Sequence, residues 1–336
     1  MTKLLRFLIL ICFVLMLSPL AVAQKQHAFI WNNTTGIQDI GTLGGDTSYA
    51  LYINDSGEVV GYSYIAGNIT THAFTWTPAG GMVDLGTLPG GSSTQGNAIN
   101  SAGDIAGNGI DANGKQVPLY WSPGGGFVAL PENKGDSRNY GFGINDFSDV
   151  TGQHYFGEIV RGYLWSRSNL ISDIGTLPGG LHSVGNAINN LRHITGTASL
   201  PNGRFDAILW MRARGMRDIG VIAGGAYTAG EAVNDNDEVA GIGFDSGNRI
   251  MGFYWSGPTG MHLLQTLGGI ESAGFGINRS GAIAGYSATP SGSIHAALWL
   301  NYTGSPQDLG TLPGGVNSYA RGINNLGQVV GYADVP

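Results

Sequence analysis

The stretch "SYALYINDSGEVVGYS" (residues 48–63), followed by "HAFTWTPAGGMVDLGTL" (residues 72–88), decides the fold of this chain. It breaks into four short segments, "SYALYIN", "EVVGYS", "HAFTW" and "MVDLGTL", each rich in β-branched, aromatic or small residues and none with helical periodicity over a useful length. Between the first two lies "NDSG", where Asn can accept a hydrogen bond from the backbone two residues on and Gly can take positive φ. That is the chemistry of a tight hairpin.

The same phrase recurs along the chain. The tryptophans Trp31, Trp76, Trp121, Trp165, Trp210, Trp255 and Trp299 are spaced by 44 or 45 residues. Asn54, Asn100, Asn145, Asn189, Asn234, Asn278 and Asn324 follow them by 23 to 25 residues, each after an Ile or Val. A glycine stands seven residues past each Asn, from Gly61 to Gly331. Self-similarity at this period is the mark of an architecture made of stacked units, and seven copies account for residues 24–336 as a single domain.

The connections predict how the strands are ordered. Within a unit they are short and turn-like. Only the passage from the fourth strand to the next unit differs, and it is built on an Asp-led, Gly-rich phrase: "DIGTLGG" at Asp39, "DLGTLPGG" at Asp84, "DIGTLPGG" at Asp173, "DIGVIAGG" at Asp218 and "DLGTLPGG" at Asp308. A link that crosses a four-stranded sheet must cover three gaps of about 4.8 Å each, which about seven residues can do and a hairpin cannot. This is the geometry of an all-β, seven-bladed β-propeller of four-stranded blades, each outer strand returning to the centre to begin the next blade. Small residues two and four positions before each hairpin Asn are expected where inner strands crowd the axis. The repeat begins at a third strand, "HAFIW", and ends after a second, "QVVGYADVP", so the N-terminal and C-terminal half-blades are expected to pair and close the ring. An open β-solenoid is the alternative; it would leave terminal strands uncovered.

Residues 1–23 read as a secretory signal: Lys3 and Arg6, an apolar run, then Ala21-Val22-Ala23 with cleavage expected after Ala23. An uncleaved anchor is the other reading of this segment. The expected destination is the periplasm or the cell exterior. The single cysteine, Cys12, lies in the signal, so the mature chain has no thiol chemistry or disulfide. Without Lys3 and Arg6 the chain carries 14 Lys+Arg against 23 Asp+Glu, which argues against nucleic acid or an anionic membrane as partner. A monomer without cofactor is expected.

The phrases "HAFIW", "HAFTW", "DIGTLGG", "DLGTLPGG", "INDSGEVVGYS" and "INNLGQVVGYA" resemble the HAF family of extracellular bacterial repeats, over essentially all of the chain past the signal. The resemblance implies an exported protein of bacterial type and transfers no catalytic residue. The copy around Trp121 departs most, with "VPLYW" for the His-Ala-Phe strand and "VALPENKGD" for the Asp-led phrase.

A residue present in every unit is better explained by construction than by chemistry. The seven Trp and seven Asn are therefore read as structural, as are the phrase Asp residues, through backbone hydrogen bonding or edge protection. His27, His72 and His295 share one strand position; sites on separate blades diverge, which suits hydrogen bonding better than metal binding. Asp111 with Asn113, and Asp245 with Asn248, lack the alternating oxygen ligands of a calcium loop. No metal, nucleophile elbow or spaced carboxylate pair is indicated.

Function is then sought where the copies differ. Three residues before each hairpin Asn stand Leu51, Asn97, Phe142, Asn186, Glu231, Phe275 and Arg321, variable while their neighbours repeat. The expectation is that they line a channel mouth near the start of the inner strand and bind a polar ligand or a partner's surface. Tyr64, His154, Tyr155, Phe156 and Phe244 are added as exposed loop candidates, and Arg212, Arg214 and Arg217 as a basic cluster. A non-catalytic binding module for an extracellular glycan or protein is the leading reading. The alternative is a hydrolase or lyase with a composite site at the channel, for which Glu231 is the one acid in the variable ring.

Overall fold

A computed structural model describes residues 25–131, 138–167 and 169–336; the signal segment and residues 132–137, most of the divergent "PENKGD" phrase, lie outside the described residues. Seven four-stranded antiparallel sheets form a ring, a seven-bladed β-propeller. We number the blades 1 to 7 and letter the strands a to d from the axis outward. Blade 1 is Gly44–Ile53, Val59–Ile65, Thr71–Thr77 and Gly81–Asp84. The inner strands of blades 2 to 6 are Ser93–Ile99, Tyr140–Ile144, Ser183–Ile188, Thr228–Val233 and Ser272–Ile277.

Blade 7 closes the ring. Its strands a and b, Ser318–Ile323 and Val329–Asp334, come from the C-terminal end; strands c and d, Gln26–Asn32 and Gly36–Asp39, come from the N-terminal end. Six paired positions join the halves, from Gln26 opposite Asp334 to Trp31 opposite Val329. Both half-blades thereby lose an open edge.

The repeated asparagines tie the blades together at the axis. Each is buried, between 3% and 7% exposed. In every copy the Asn Oδ1 accepts the backbone N–H groups two and four residues on, at 2.9–3.2 Å, which forms the a–b turn. The Nδ2 of the same side chain donates to the backbone carbonyl of the Asn in the next blade. The links Asn54 to Asn100, Asn145, Asn189, Asn234, Asn278, Asn324 and back to Asn54 measure 2.9–3.2 Å and close a cycle of seven.

Each Trp ends a strand c and packs in a cluster shared with the preceding blade. Trp31 meets Ala282, Ala284 and Leu309 of blade 6, and Trp165 meets Ala106, Tyr120 and Leu130 of blade 2. Burying such a ring stabilises by a few kcal/mol.

All seven inner strands carry a β-bulge three residues before the Asn. The bulge explains the third repeated residue. It brings a strand-a carbonyl so close to strand b that a Cβ on Gly61 would collide with Tyr49 O, and the same collision occurs at Gly107, Gly152, Gly196, Gly241, Gly285 and Gly331. The small residues flanking the bulge have two causes, where axial crowding was expected to account for both. Two before the Asn, inner strands of adjacent blades touch, as Gly276 does the Arg321 and Ile323 backbone. Four before, the neighbour is strand b of the preceding blade: a Cβ on Gly96 would meet Val60, and on Gly185 or Gly230 would meet Thr151 or Thr195.

Deleting residues 24–45 removes half of blade 7 and should cause aggregation or lower the melting temperature by roughly 10 °C or more; a melt that overlays the parent would sink ring closure. Asn189→Ala breaks one link of the axial cycle and strips a buried turn of its acceptor, so the urea midpoint should correspond to a loss of roughly 2 kcal/mol or more.

Candidate functional site

The Asp-led phrase is occupied with structure. Asp39, Asp84, Asp173, Asp218 and Asp308 each accept, through Oδ1, the N–H of the glycine two residues on at 2.7–2.8 Å. That glycine has φ between +72° and +96°, which turns the chain inward. The carboxylate then holds the third strand: His27 Nδ1 lies 2.7 Å from Asp39, His72 2.9 Å from Asp84 and His295 2.8 Å from Asp308, while Arg161 takes the same place against Asp173 at 3.0 Å. Where the Asp is replaced, by Ala129 and Leu263, the partner position is apolar too, Val117 and Met251. These histidines thus belong to separate pairs on the outer rim. Among the described residues no three His, Cys, Asp or Glu side chains gather as metal donors.

A buried hydroxyl completes the crossover. Ser48 donates to Gly41 O at 2.6 Å and accepts the Ala28 N–H at 2.8 Å, locking the incoming chain to the preceding blade. Ser183 and Ser318 repeat both bonds, and Thr228 does so at 2.8 Å each. The sequence carried this signal six residues before six of the seven Asn, at Ser48, Thr94, Ser183, Thr228, Ser272 and Ser318; before Asn145 the position holds Asn139.

The variable residues do not sit at the start of strand a. They are the bulged residues themselves, past its midpoint. The sequence could not reveal this, because a bulge leaves the spacing of the repeat unchanged. A bulge turns the extra side chain out of the pairing pattern, and all seven are half-buried. They do not act as one set. Asn97 Nδ2 donates to Gly141 O at 2.7 Å and Asn186 Nδ2 to Gly230 O at 3.0 Å, both serving the next blade's backbone. Phe142 stacks on Tyr140 at 5.9 Å.

The remaining four, Glu231, Phe275, Arg321 and Leu51, stand on consecutive blades 5, 6, 7 and 1. The Arg321 guanidinium covers the Phe275 ring at 4.0 Å. Among the described residues Arg321 has no carboxylate within ion-pair distance. Beside these residues runs a continuous aromatic arc over blades 6, 7 and 1. Ring centroids from Phe275 to Tyr286, Tyr319, Tyr332, Tyr49 and Tyr62 are separated in turn by 5.9, 5.4, 5.1, 4.8 and 4.9 Å. Among the described residues none of the five tyrosine hydroxyls has a protein hydrogen-bond partner, and none is sealed from solvent. Burial raises all five above the ordinary phenol range, while Arg321 pulls Tyr62, Tyr286 and Tyr332 the other way. Burial also pushes the Glu231 carboxyl up to about 7, against the opposing pull of Arg321.

At the hairpin end of the axis, the Asn cycle surrounds a cavity of about 150 Å³ rimmed by Asp55, Asp146, Asn190, Asp235, Arg279 and Asn325. The rim is bonded to itself: Asp146 N–H donates to Asn190, Asn190 N–H to Asp235 and Asn325 N–H to Asp55, at 2.8–2.9 Å. Tyr52 enters this cavity from a position that holds Ala or Gly in the other six copies. Tyr52 keeps 39% of its surface open, and its phenol is raised by the desolvation of its hydroxyl and then by the charges of Asp146, Asp55 and Asp235, on three different blades.

The loop candidates need correction. His154 and Tyr155 lie within the strand Val150–Phe156 and are buried, 4% and 7% exposed; Tyr64 and Phe244 are half-buried and Phe156 alone is exposed. Asp111 and Asp245 cap b–c turns, accepting the Asn113 and Gly247 N–H groups at 2.8 Å. Arg212 and Arg214 are exposed on a c–d turn, and Arg217 is exposed on the outer strand Gly215–Gly220 that follows it, where it lies over Trp255 at 4.8 Å.

No family model and no curated protein matches this chain. Solved structures do. A protein assigned as TolB from Agrobacterium tumefaciens superposes with a TM-score of 0.55 at 12% identity, over 94% of this chain and 99% of its own. The β-propeller domain of the Trilobed protease from Pyrococcus furiosus gives 0.57 at 9% identity, over 85% and 94%, and is described as having an open velcro topology. An oligogalacturonate lyase in complex with manganese gives 0.53 at 10% identity, over 93% and 98%. At these identities the likeness is one of fold.

Glu231 yields a pH test. Between its ordinary value of 4.5 and about 7 the folded protein holds a proton that the unfolded chain has released, so stability falls as pH rises through this window. Glu231→Gln should flatten the fall; stability curves from pH 4 to 8 with the same slope for both proteins would contradict the placement of this carboxyl.

Proposed function

We propose that the protein is an exported binding module of HAF-repeat type whose ligand, an extracellular glycan or protein, is held on the inner wall of blades 5, 6, 7 and 1. The observation that carries this reading is the contrast between frame and bulge. Three series of structural residues repeat through seven copies, while the side chain that each bulge turns out differs in type. Four consecutive ones, Glu231, Phe275, Arg321 and Leu51, make none of the backbone bonds that engage Asn97 and Asn186. Half-buried aromatic rings (Tyr49, Tyr62, Phe275 and Tyr286), tyrosine hydroxyls open to solvent and a guanidinium without an ion-pair partner among the described residues are the composition of a recognition surface. The solved structures of similar fold include a TolB, a protease domain and a lyase, so the fold leaves the ligand open.

The hydrolase or lyase reading has one feature in its favour, the Glu231 carboxyl held near neutral pH. Turnover of a polysaccharide or ester by the parent, abolished in Glu231→Gln, would establish it.

Glycan and extracellular-protein panels should yield a saturable ligand for the mature chain. Phe275→Ala and Arg321→Gln should each weaken its binding by about tenfold or more while still melting cooperatively, whereas Val128→Thr on an outer strand should leave binding unchanged. Unchanged affinity in both inner-wall variants would refute the assignment.

A further inference from the structure

From the aromatic arc and the unpaired guanidinium beside it, we infer that the ligand is a saccharide carrying a single carboxylate, a uronate, with its acid group on Arg321 and its ring against the tyrosines of blades 6, 7 and 1. This deepens the binding-module reading and rests on it.

The Arg321 guanidinium carbon lies 4.0 Å from the centre of the Phe275 ring, a contact that takes up none of its N–H hydrogen bonds and leaves the planar fork of donors to meet a partner. A carboxylate matches that fork with two parallel hydrogen bonds. Among the described residues no carboxylate lies within ion-pair distance of Arg321 to supply it. A dianion such as phosphate fits worse. Arg321 is the one charged residue on the seven inner strands besides Glu231 and Asp46, and Asp46 pairs with Lys25 at 3.5 Å. One cation matches one negative charge. The rest of a sugar matches the accessible part of the arc, the half-buried Tyr49, Tyr62 and Tyr286: pyranose C–H faces pack on aromatic rings, and the hydroxyls, which both donate and accept, suit tyrosine O–H groups that have no protein partner among the described residues.

Glu231 gives the site a pH response. Strands Ser183–Ile188, Ile194–Ser199, Val239–Phe244 and Ser272–Ile277 pack against the Glu231 strand and contain no ionisable residue; Asp206 and Tyr254, on the third strands beside it, bond instead to Arg204 and Glu238. Arg321 is therefore the charge that Glu231 feels. Below about pH 7 its carboxyl is neutral and leaves Arg321 to the ligand; above it, the carboxylate repels a second anion and competes for the guanidinium.

The test titrates the mature protein with methyl β-D-glucuronoside, its uncharged glucuronamide and methyl β-D-glucoside, by calorimetry or ligand-observed NMR. The acid should bind about tenfold or more tightly than the amide, and Arg321→Gln, with its fold checked by melting, should erase the difference. Affinity for the acid should fall between pH 6 and 8 in the parent and stay level in Glu231→Gln. Equal affinity for acid and amide, discrimination that survives Arg321→Gln, or no binding of the glucuronoside up to its solubility each overturns the uronate assignment. Those outcomes leave the binding-module reading standing wherever another ligand from the panels remains sensitive to Phe275→Ala.

Discussion

Seven asparagine side chains, each with one end in its own turn and the other on the next blade's backbone, set the conditions for the rest of this fold. The carboxamide suits the task because it offers an acceptor and a donor on one rigid plane. Oδ1 closes the turn that ends strand a, and Nδ2 reaches the neighbouring Asn carbonyl. An aspartate could do the first and not the second. Because every donor points the same way around the axis, the chain of bonds has no end, and each Asn carbonyl, which already accepts the N–H three residues on in its own turn, takes a second donor from the neighbouring blade.

Holding inner strands this close restricts what may stand beside them. The bulge in each strand a gives the chain the bend it needs near the axis, and the glycine opposite it follows from the displaced carbonyl. The serine or threonine six residues before six of the seven Asn fixes the crossover from a fully buried position. Together these residues account for most of what repeats. What does not repeat is free of those duties, and it is there, on half of the wall, that the free guanidinium, the near-neutral carboxyl and the aromatic arc are found.

Much of the architecture was legible in the chain: the period of 44 to 45, the number of strands per unit, their order and the shared closing blade all follow from spacing and turn chemistry. The Oδ1 half of the asparagine's role was legible as well, being a local turn. Its Nδ2 half was not, because a bond to a residue 44 to 46 positions away leaves no mark in the local pattern. The candidate ring was found by its variability, but its division was hidden. Nothing in the letters separates Asn97, bonded to Gly141, from Arg321, which lies over the Phe275 ring and has no ion-pair partner among the described residues. The error over His154 and Tyr155 has a plain cause: they stand nine and ten residues past Asn145, and in every blade those two positions belong to the end of strand b and not to the b–c loop.

Blade 7 has one more consequence. The Val335 N–H donates to Lys25 O at 3.0 Å, so the two ends of the propeller run side by side in one sheet. A chain so arranged has no privileged starting point. If the ends were joined by a short linker and the backbone cut at an exposed b–c turn such as Ala112–Lys115, the same seven sheets would be specified by a circularly permuted sequence, and the order in which blades emerge during synthesis could be changed without altering the finished ring.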